Sequence, residues 1–358
     1  MDWNTSQLII TGGGGWLGGT LLRGLRQGLA DFAPLREPSS NLAIRALALS
    51  DHDVQQLEQL PGEIEIVRGD LLDLADCQRL CAGARDAVLI HLAGLIHPRR
   101  TRELFQINLH ATQNIVAAAV QQGMRRVVAM SSNSPLGCNP RPDHCFDETS
   151  PYHPYLKYGK SKMLMEQHLK EVQAAGNIET VTIRCPWFYG PYQPPRQTLF
   201  FEMIRDGKAP IVGSGENRRS MGYLENIAQG LILAANVPDA AGETYWLADE
   251  RPYTMNEIVD TVERLLETEF DIPCQHKRLR LPGLASEVAW AIDWSLQSVG
   301  LYHQKIHVLS EMNKTIACRV DKAKRELGYE PNVALEEGMR RSLRWCIDQG
   351  LLGRATSN

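Results

Sequence analysis

A tyrosine and a lysine stand four residues apart, at Tyr158 and Lys162, behind a pair of serines, Ser131 and Ser132. Residues at this spacing lie one turn apart on a helix, so their side chains project from the same face. A free tyrosine has a pKa of about 10, and a lysine cation beside it favours the phenolate and lowers that pKa. The pair is therefore either a proton-transfer device or a solvated helix face.

Short apolar runs alternate with helical patterns along the first half of the chain, and these elements would position the tyrosine and the serines. Such alternation is typical of βαβ units, whose parallel sheet is buried on both faces. The sequence therefore predicts an α/β fold with a doubly wound parallel sheet. The apolar runs are 8–10, 42–49, 64–67, 87–92, 127–130 and 180–184, and the helical patterns are 17–29, 73–81, 104–122 and 155–172.

The pattern changes after Arg184, where four prolines fall within ten residues and indicate a ligand-facing loop. Beyond it, helical patterns at 254–267 and 335–349 mix with a short apolar run at 243–247. We expect two regions. Residues 1–184 would form the doubly wound domain, and residues 185–358 mainly a smaller substrate-binding region, with some segments returning to the first.

Composition and charge exclude several classes of protein. The chain has 358 residues, 43 % hydrophobic and 22 % charged, which is an ordinary globular composition. Its formal net charge of −4 gives no reason to expect nucleic acid or an anionic membrane as the main partner. The eight cysteines show no metal-ligand spacing, so we expect free thiols and no metal site. With neither a signal peptide nor an apolar run long enough for an integral membrane segment, we expect a cytoplasmic protein.

Glycines follow the first apolar run in the segment LIITGGGGWLGG, residues 8–19. Gly12, Gly15 and Gly18 have the spacing of a dinucleotide-binding turn. One glycine makes the tight turn, one lets the backbone approach a pyrophosphate, and one lets helix and strand pack closely. The anion would lie at the helix N-terminus, where free N–H groups and the dipole favour it. A merely flexible turn is the alternative.

Further motifs appear in a fixed order, and together they resemble the extended short-chain dehydrogenase/reductase superfamily. That superfamily includes nucleotide-sugar epimerases and dehydratases and 3β-hydroxysteroid dehydrogenase-like enzymes, and the resemblance implies a Rossmann fold. The C-terminal stretch KAKRELGYEPNVALEEGMRRSLRW also resembles the family. The other motifs are TGGGGWLGG, Gly69-Asp70-Leu71, His91-Leu92-Ala93-Gly94, Asn108, Ser131-Ser132 with Gly137, Tyr158-x-x-x-Lys162, and Arg184-x-Pro186-x-x-Tyr189-Gly190-Pro191.

The resemblance implies a catalytic set of Ser132, Tyr158 and Lys162. Tyr158 would be the general base when an alcohol is oxidised and the general acid in the reverse direction. Lys162 would also hold the nicotinamide ribose, and Ser132 the substrate oxygen. Ser132 is chosen over its neighbours by its five-residue offset to Gly137. The implied cofactor-binding residues are Gly12, Gly15, Trp16, Leu17, Gly18, Asp51, Asp70, Leu71, Leu92, Ala93, Gly94, Asn108, Ser131, Tyr158, Lys162, Pro186 and Phe188.

The choice between NAD and NADP depends on the end of the second strand, where an acidic residue normally meets the ribose 2′-hydroxyl. Ala48 or Leu49 occupies the usual place of that acid, and Asp51 comes two or three residues later. This turn also lacks an arginine for a 2′-phosphate. We predict NAD, held through Asp51, without excluding NADP. Asp51 would otherwise be the N-cap of the helix that follows.

Substrate contacts are expected from Asn133, Arg196 and Arg219. Arg219 occupies the position at which nucleotide-sugar members carry a phosphate-binding arginine, and Arg196 and Arg218 would assist, because guanidinium groups bind phosphate through paired hydrogen bonds. However, residues 223–234 and 281–300 resemble sterol-type members instead. An ordinary amphipathic lid helix is the alternative for 281–300.

Three functions remain open from the sequence. The first is an NAD(P)-dependent oxidoreductase acting on a secondary alcohol or ketone of a sugar or sterol-like small molecule. The second is a nucleotide-sugar epimerase with tightly bound NAD, and the third a non-catalytic cofactor-sensing protein. A dehydratase is disfavoured because Asn133 and Ser134 replace the Asp-Glu pair of that class. Relatives often pair through two helices, here 104–122 and 155–172, which predicts a homodimer.

Overall fold

Seven parallel strands form the central sheet of the computed structural model, which describes residues 7–39 and 41–353. Their order is β11-β6-β5-β4-β1-β2-β3, and every neighbouring pair is parallel. This confirms the predicted doubly wound α/β fold. The prediction that the chain has no signal peptide rests on its first residues, and residues 1–6 lie outside the described ranges. The strands of the sheet are β1 (Gln7–Thr11), β2 (Ala43–Ala48), β3 (Glu65–Arg68), β4 (Val88–His91), β5 (Arg126–Met130), β6 (Glu179–Arg184) and β11 (Thr244–Trp246).

Helices cover both faces of the sheet and fill much of the second half of the chain. Six shorter strands pair two by two outside the sheet: β7 (Trp187–Tyr189) with β10 (Met221–Tyr223), β8 (Pro210–Val212) with β13 (Leu279–Leu281), and β9 (Arg218–Arg219) with β12 (Tyr253–Thr254). The α-helices are α1 (Trp16–Gln27), α2 (Asp51–Glu58), α3 (Leu74–Cys81), α4 (Arg102–Phe105), α5 (Ala111–Gln121), α6 (Leu156–Ala174), α7 (Pro195–Arg205), α8 (Leu224–Asn236), α9 (Met255–Thr268), α10 (Leu284–Ser298), α11 (Gln304–Glu311), α12 (Asp321–Leu327) and α13 (Leu335–Asp348).

The first strand shows why these apolar runs form a central sheet. Leu8 and Ile10 pack into the core layer that contains α1 and α8, whereas Ile9 packs into the opposite layer, which contains α3, α5 and α6. Successive side chains of a strand point to opposite faces, so a strand covered on both sides must be apolar throughout. A separate core joins α7, α9 and α13.

Two features depart from a simple division of the chain. Strand β11 pairs with β6, so the seventh strand of the sheet comes from the second half of the sequence. The predicted helix 104–122 is one continuous helical segment, but it contains a π-helical turn at Gln106–His110 between α4 and α5. Within the described ranges no helix is long and apolar enough to cross a membrane. All eight cysteines are free thiols.

Candidate active site

The glycine loop joins β1 to α1 at the carboxyl edge of the sheet. Gly12 has a φ of +74°, and a Cβ there would lie 2.7 Å from the Ala93 nitrogen. A Cβ on Gly18 would lie 2.1 Å from the Gly12 oxygen. A Cβ on Gly15, by contrast, would meet only the Gly12 oxygen, at 3.2 Å. Gly12 therefore lets the loop pack against the backbone after β4, and Gly18 lets α1 pack against the loop. Gly15 leaves the side of the loop that faces away from these contacts open.

No side chain caps the start of α1, whose N-cap is Gly15 in extended conformation. The first N–H groups of a helix lack intrahelical partners and favour an anion. An open loop in front of such a helix end fits a dinucleotide pyrophosphate. Trp16 and Leu17 form the first turn, and the Trp16 indole donates to the Pro191 oxygen at 2.7 Å. This bond ties the cofactor loop to the segment after β6 that carries Pro186 and Phe188.

His91 fixes the end of β4 beside this loop. Its Nδ1 lies 2.7 Å from the Thr11 hydroxyl, and its Nε2 lies 2.9 Å from the Thr112 hydroxyl. Burial, and secondarily the charge of Lys162, lower the pKa of the imidazole to about 3. The neutral imidazole, hydrogen-bonded at both ring nitrogens, positions the backbone that follows it, at Leu92, Ala93 and Gly94.

Asn108 lies in the π-helical turn and holds the loop after β4. Its side-chain oxygen accepts from the Leu95 nitrogen at 2.8 Å, and its amide nitrogen donates to the Leu95 oxygen at 2.9 Å and the Ser161 hydroxyl at 3.1 Å. The side chain is fully buried. Asn108 was predicted to bind cofactor, and the structure gives its side chain a positioning role next to that site.

The turn after β3 is likewise held within the protein. The Asp70 carboxylate accepts from the Leu72 nitrogen at 2.9 Å, and the Asp70 nitrogen donates to the Asp76 carboxylate at 2.7 Å. Leu71 is buried, and its oxygen accepts from the Asn114 side chain at 3.0 Å. These contacts set the backbone of Asp70 and Leu71, two of the predicted cofactor-binding residues, at the edge of the sheet next to β2.

The two serines at the end of β5 point to different surroundings. The Ser131 hydroxyl donates to Glu166 at 2.5 Å, and Glu166 forms a fully buried ion pair with Arg184 at 2.7 Å. The Ser131 hydroxyl is therefore used inside the protein, and its backbone nitrogen donates to the Ile183 oxygen at 2.6 Å, which leaves the backbone oxygen of Ser131 for any cofactor contact. The Ser132 hydroxyl lies 3.4 Å from the side-chain oxygens of Asn133 and Ser134 and also shares a hydrogen bond with the Tyr158 phenol, in the candidate site that we call the cleft.

Helix α6 brings Tyr158 against Ser132 through an unusually close approach. A Cβ on Gly159 would lie 2.3 Å from the Ser134 oxygen, so only glycine lets the helix approach the strand end this closely. At Gly137, where φ is +78°, a Cβ would lie 2.5 Å from the His153 oxygen. The helix begins at Leu156, whose φ of 51° is strained for a leucine. Gly159 was not predicted, although it directly follows the tyrosine.

Burial raises the pKa of Tyr158 to about 12. Ser132 beside the phenol lowers this pKa, the Glu311 carboxylate raises it and the Arg196 guanidinium lowers it, all by less than burial. The prediction that Lys162 lowers the pKa of the phenol is wrong for the protein alone. The Lys162 ammonium donates instead to the Met130 oxygen at 2.9 Å, and burial lowers the lysine pKa to about 8.

Gly94 lies against the Lys162 ammonium. A Cβ on Gly94 would lie 3.3 Å from the lysine ammonium and 3.2 Å from the Asn108 side-chain oxygen. Glycine at this position therefore lets both polar groups approach the backbone of the loop after β4. Donors of this kind fit the hydroxyls of a cofactor ribose, so the role predicted for Lys162 in cofactor binding stays a proposal.

Four further side chains are linked to Tyr158 by charge interactions or, for one of them, through a hydrogen bond to Tyr302, and sequence analysis identified only Arg196 among them. The His97 Nδ1 lies 2.6 Å from the Tyr302 hydroxyl, which joins the loop after β4 to the segment between α10 and α11. The charges of Arg196 and Glu311 act on the pKa of Tyr158, and they also act on the pKa of Tyr302. Glu311 lies 153 residues after Tyr158. No local pattern marks it, because the fold alone brings it to the cleft.

The predicted phosphate-binding arginines are largely used within the protein. Arg218 donates to the Pro142 oxygen at 2.6 and 2.9 Å and to the His144 oxygen at 3.2 Å. Arg219 is 9 % exposed, and its Nη2 donates to the backbone oxygen of Glu311 at 2.5 Å. Its Nε is buried and has no hydrogen-bond partner among the described residues.

The predicted N-cap role of Asp51 is wrong. Ser50 caps α2 by accepting from the Asp53 nitrogen, while Asp53 accepts from the Ser50 nitrogen in a capping box. Asp51 is the first helical residue and forms an ion pair with Arg68 at 2.6 Å. An arginine is therefore present near the predicted ribose site after all. It was missed because it comes from the end of the neighbouring strand β3 rather than from the turn itself.

The charges around the phenol predict opposite effects of two substitutions on pH dependence. Alcohol oxidation needs the phenolate, so its rate rises with pH through the pKa of Tyr158. Glu311→Gln removes an anion, lowers that pKa and should shift the rising limb of kcat/KM to lower pH. Arg196→Gln removes a cation and should shift it to higher pH. Shifts in one common direction, or none, would contradict the placement of these charges around Tyr158.

Asp51 and Arg68 predict a change in cofactor preference. Asp51→Asn removes the carboxylate for the ribose 2′-hydroxyl and leaves the Arg68 guanidinium without its acidic partner. We expect the ratio of NAD to NADP affinity to fall by about tenfold, the scale of one charge-assisted contact. Calorimetric titration with both dinucleotides measures this ratio. Glu58→Gln, which removes an exposed acid at the far end of α2, is the control and should leave it unchanged.

Comparison with known proteins agrees with this arrangement. The sequence profile of the NAD-dependent epimerase/dehydratase family matches residues 8–248. An uncharacterized protein of Sinorhizobium fredii is 50 % identical over 348 residues, which cover 97 % of each chain. The 3β-hydroxysteroid dehydrogenase type 7 of Mus musculus is 26 % identical over 94 % of each chain. The UDP-glucose 4-epimerase of Thermotoga maritima shares the fold, with a TM-score of 0.75, 18 % identity, and coverage of 96 % of this chain and 99 % of that one.

Proposed function

This chain belongs to the NAD-dependent epimerase/dehydratase family, within the extended short-chain dehydrogenase/reductase superfamily, and we propose that it interconverts a secondary alcohol and a ketone. Members of the family are enzymes that use NAD, so the cofactor-sensing alternative is set aside. One observation carries the proposal. A buried phenol, Tyr158, shares a hydrogen bond with the Ser132 hydroxyl at the carboxyl edge of the parallel sheet, the edge that also carries the glycine loop.

The residues of the cleft divide the work of the reaction between them. The bound nicotinamide supplies or accepts the hydride. Ser132 holds the substrate oxygen by a hydrogen bond and directs it toward the phenol. In the reductive direction Tyr158 gives its proton to that oxygen, and in the oxidative direction the phenolate takes the proton from the alcohol. At neutral pH the raised pKa keeps Tyr158 protonated, which suits reduction.

Other residues bind the cofactor in this proposal. Gly15, Trp16 and Leu17 would receive the pyrophosphate on the N–H groups of α1, and Asp51 and Asp70 would meet the adenosine end. Lys162 would hold the nicotinamide ribose, since its ammonium lies beside Gly94 in the loop after β4 and bonds to the Met130 oxygen at the end of β5. Pro186 and Phe188, on the segment held by Trp16, would enclose the nicotinamide.

An apolar, sterol-like substrate agrees best with the cleft. The Arg218 guanidinium is bonded to backbone oxygens, and that of Arg219 is partly so, which leaves fewer free donors for a diphosphate than the sequence predicted. Glu311 adds a negative charge near the phenol. A relative aligned over 94 % of each chain is named as a 3β-hydroxysteroid dehydrogenase. A panel of hydroxysteroids and nucleotide sugars, followed at the nicotinamide absorbance, tests this choice, and we expect turnover of the steroids.

A nucleotide-sugar epimerase with tightly bound NAD remains the second candidate, because the Arg219 Nε is buried without a partner. Arg219→Ala distinguishes the two. For a sterol-like substrate we expect KM to change by less than about threefold, since no phosphate contact is lost. For a nucleotide sugar KM should rise by about tenfold or more while kcat is retained. Arg219→Lys, which keeps the charge, is the matched control.

We also propose a homodimer formed through the segments 102–121 and 156–174, which run side by side on one face of the sheet. Segments 106–110 and 156–174 pack directly on each other, and Asn108 bonds to Ser161 between them. Sedimentation of the 40.1 kDa chain should report twice that mass.

A further inference from the structure

Helix α10 has its apolar and polar faces in the reverse of the usual arrangement. Its fully buried side chains are mostly polar, and its exposed ones are mostly large and apolar. A helix on a globular protein normally turns its apolar face to the core. Large apolar residues are exposed on α10, on the segment that follows it and on α11, and we call them together the α10 face. They are Leu284, Val288, Trp290, Ile292, Trp294, Val299, Leu301 and Val308.

The buried polar residues of α10 show that this orientation is built into the fold. Asp293 accepts from His307 of α11 at 2.7 Å, and Gln297 donates to Asp293 at 2.9 Å. Ser286 donates to the Leu309 oxygen at 2.8 Å. The Gln297 oxygen also accepts from the nitrogen of Lys157, the residue before Tyr158, at 3.1 Å. Rotating α10 to bury its apolar side would break all of these bonds.

The α10 face contains two rows of apolar side chains. Leu284, Val288 and Ile292 follow each other at four-residue spacing, so they form one stripe along the helix. Trp290 and Trp294, also four residues apart, form a second row on the exposed surface of the helix, and Val299 beyond its end is 71 % exposed. Large exposed apolar patches mark sites that are covered in the functional state.

The charge next to the α10 face indicates what covers it. Arg99 and Arg100 are exposed on the loop that forms a β-bridge between Arg100 and Leu301, and Arg102 is exposed at the start of α4 next to it. Within residues 7–39 and 41–353 their guanidinium groups form no ion pair. The acid on the exposed side of α10, Glu287, is paired with Lys314. The rim is therefore positive, although the whole chain carries a net charge of −4.

We propose that the α10 face docks on the surface of an anionic lipid bilayer, with Trp290 and Trp294 at the headgroup level and the three arginines against lipid phosphates. Aromatic and aliphatic side chains on one side of a surface helix, beside basic residues, are the chemistry that such an interface recognises. A second copy of the chain fits less well, because a two-fold contact would bring six arginines into one interface.

Docking would bring the cleft close to the lipid. Helix α11, which packs on α10, carries Glu311 near Tyr158, and Tyr302 of the connecting segment bonds to His97. The inference does not depend on the proposed substrate, because vesicle binding can be measured without turnover. An inactive protein that still binds vesicles would refute the proposed function and leave the docking intact.

Co-sedimentation with vesicles of phosphatidylcholine containing about 30 % phosphatidylglycerol tests the proposal. We expect the protein to bind these vesicles with an affinity that falls as salt is added. Brominated acyl chains should quench the tryptophan fluorescence, and this quenching should be lost in Trp290→Phe/Trp294→Phe. Val288→Ser/Ile292→Ser should reduce vesicle affinity by about tenfold or more, because the apolar contribution of both side chains is lost. Arg99→Gln/Arg100→Gln should reduce it by about fivefold per arginine.

Leu74→Ser/Leu351→Ser is the matched control, since these leucines are 43 % and 46 % exposed and lie outside the α10 face. It should leave vesicle affinity unchanged. All variants are exposed-site changes whose folding is checked by circular dichroism and thermal melting. Failure of the folded wild type to bind millimolar lipid overturns the proposal. An equal loss of vesicle affinity in the control also overturns it. The same holds if Val288→Ser/Ile292→Ser changes the sedimenting mass of the protein but not its vesicle affinity, because that result would assign the face to a second copy of the chain.

Discussion

Replacing Tyr158 with phenylalanine is expected to lower kcat by about 10²-fold or more, the scale of losing a positioned general acid or base. The substitution removes only the hydroxyl of a side chain that is 8 % exposed, so packing and NAD affinity should be retained. Turnover at saturating NAD and substrate measures the loss, and calorimetric titration with NAD measures the retained affinity.

The matched control for this result is Tyr155→Phe. Tyr155 stands three residues earlier, and its hydroxyl is bonded to Ser310 at 2.7 Å rather than directed at Ser132. We expect its kcat to stay within about threefold of wild type, because no proton passes through that hydroxyl. Near-full activity of Tyr158→Phe at pH 7 would make the tyrosine and lysine a structural helix face after all.

Gly15→Val is expected to abolish NAD binding, with an affinity at least about a hundredfold lower, while the chain stays folded. The Cβ at this position meets only the Gly12 oxygen, at 3.2 Å, so the valine methyls would extend into the open side of the loop. There they would block the approach of the pyrophosphate to the backbone N–H groups of α1. Calorimetric titration with NAD, beside a thermal melt, measures both parts of the prediction.

The neighbouring glycines supply the controls for Gly15→Val. Gly19→Ala adds a Cβ whose nearest contact, at 3.3 Å, is the flexible end of Arg23, so NAD affinity should be unchanged. Gly18→Val should unfold the loop itself, since its Cβ would meet backbone atoms at 2.1 Å. A folded Gly15→Val protein with wild-type NAD affinity would show that the loop does not hold the pyrophosphate.

The sequence was sufficient for the sheet and the glycine loop because both depend on local patterns. Apolar runs such as 8–10 are strands buried on both faces, and spacing alone marks Gly12, Gly15 and Gly18. Glu311 and Arg68 could not be predicted in the same way. Each reaches its partner, Tyr158 or Asp51, only through the packing of elements that are distant or on different strands.

The direction in which a side chain points was the second limit of sequence reasoning. Four-residue spacing placed Tyr158 and Lys162 on one helix face, yet the lysine ammonium turns to the Met130 oxygen at the end of β5. Helix α10 shows the same limit on a larger scale. Its periodicity predicts an amphipathic helix, but the pattern is identical whether the apolar side faces the core or the exterior.

The pH dependence of single-turnover hydride transfer, compared between wild type and Tyr158→Phe at saturating NAD, tests the assignment of Tyr158 most directly. In alcohol oxidation we expect the wild-type rate to rise with pH as the phenol loses its proton, and the variant to show a low rate with no such rise. A rise at the same pH in Tyr158→Phe would mean that another group carries the proton, and it would contradict the assignment of this tyrosine as the proton-transfer residue.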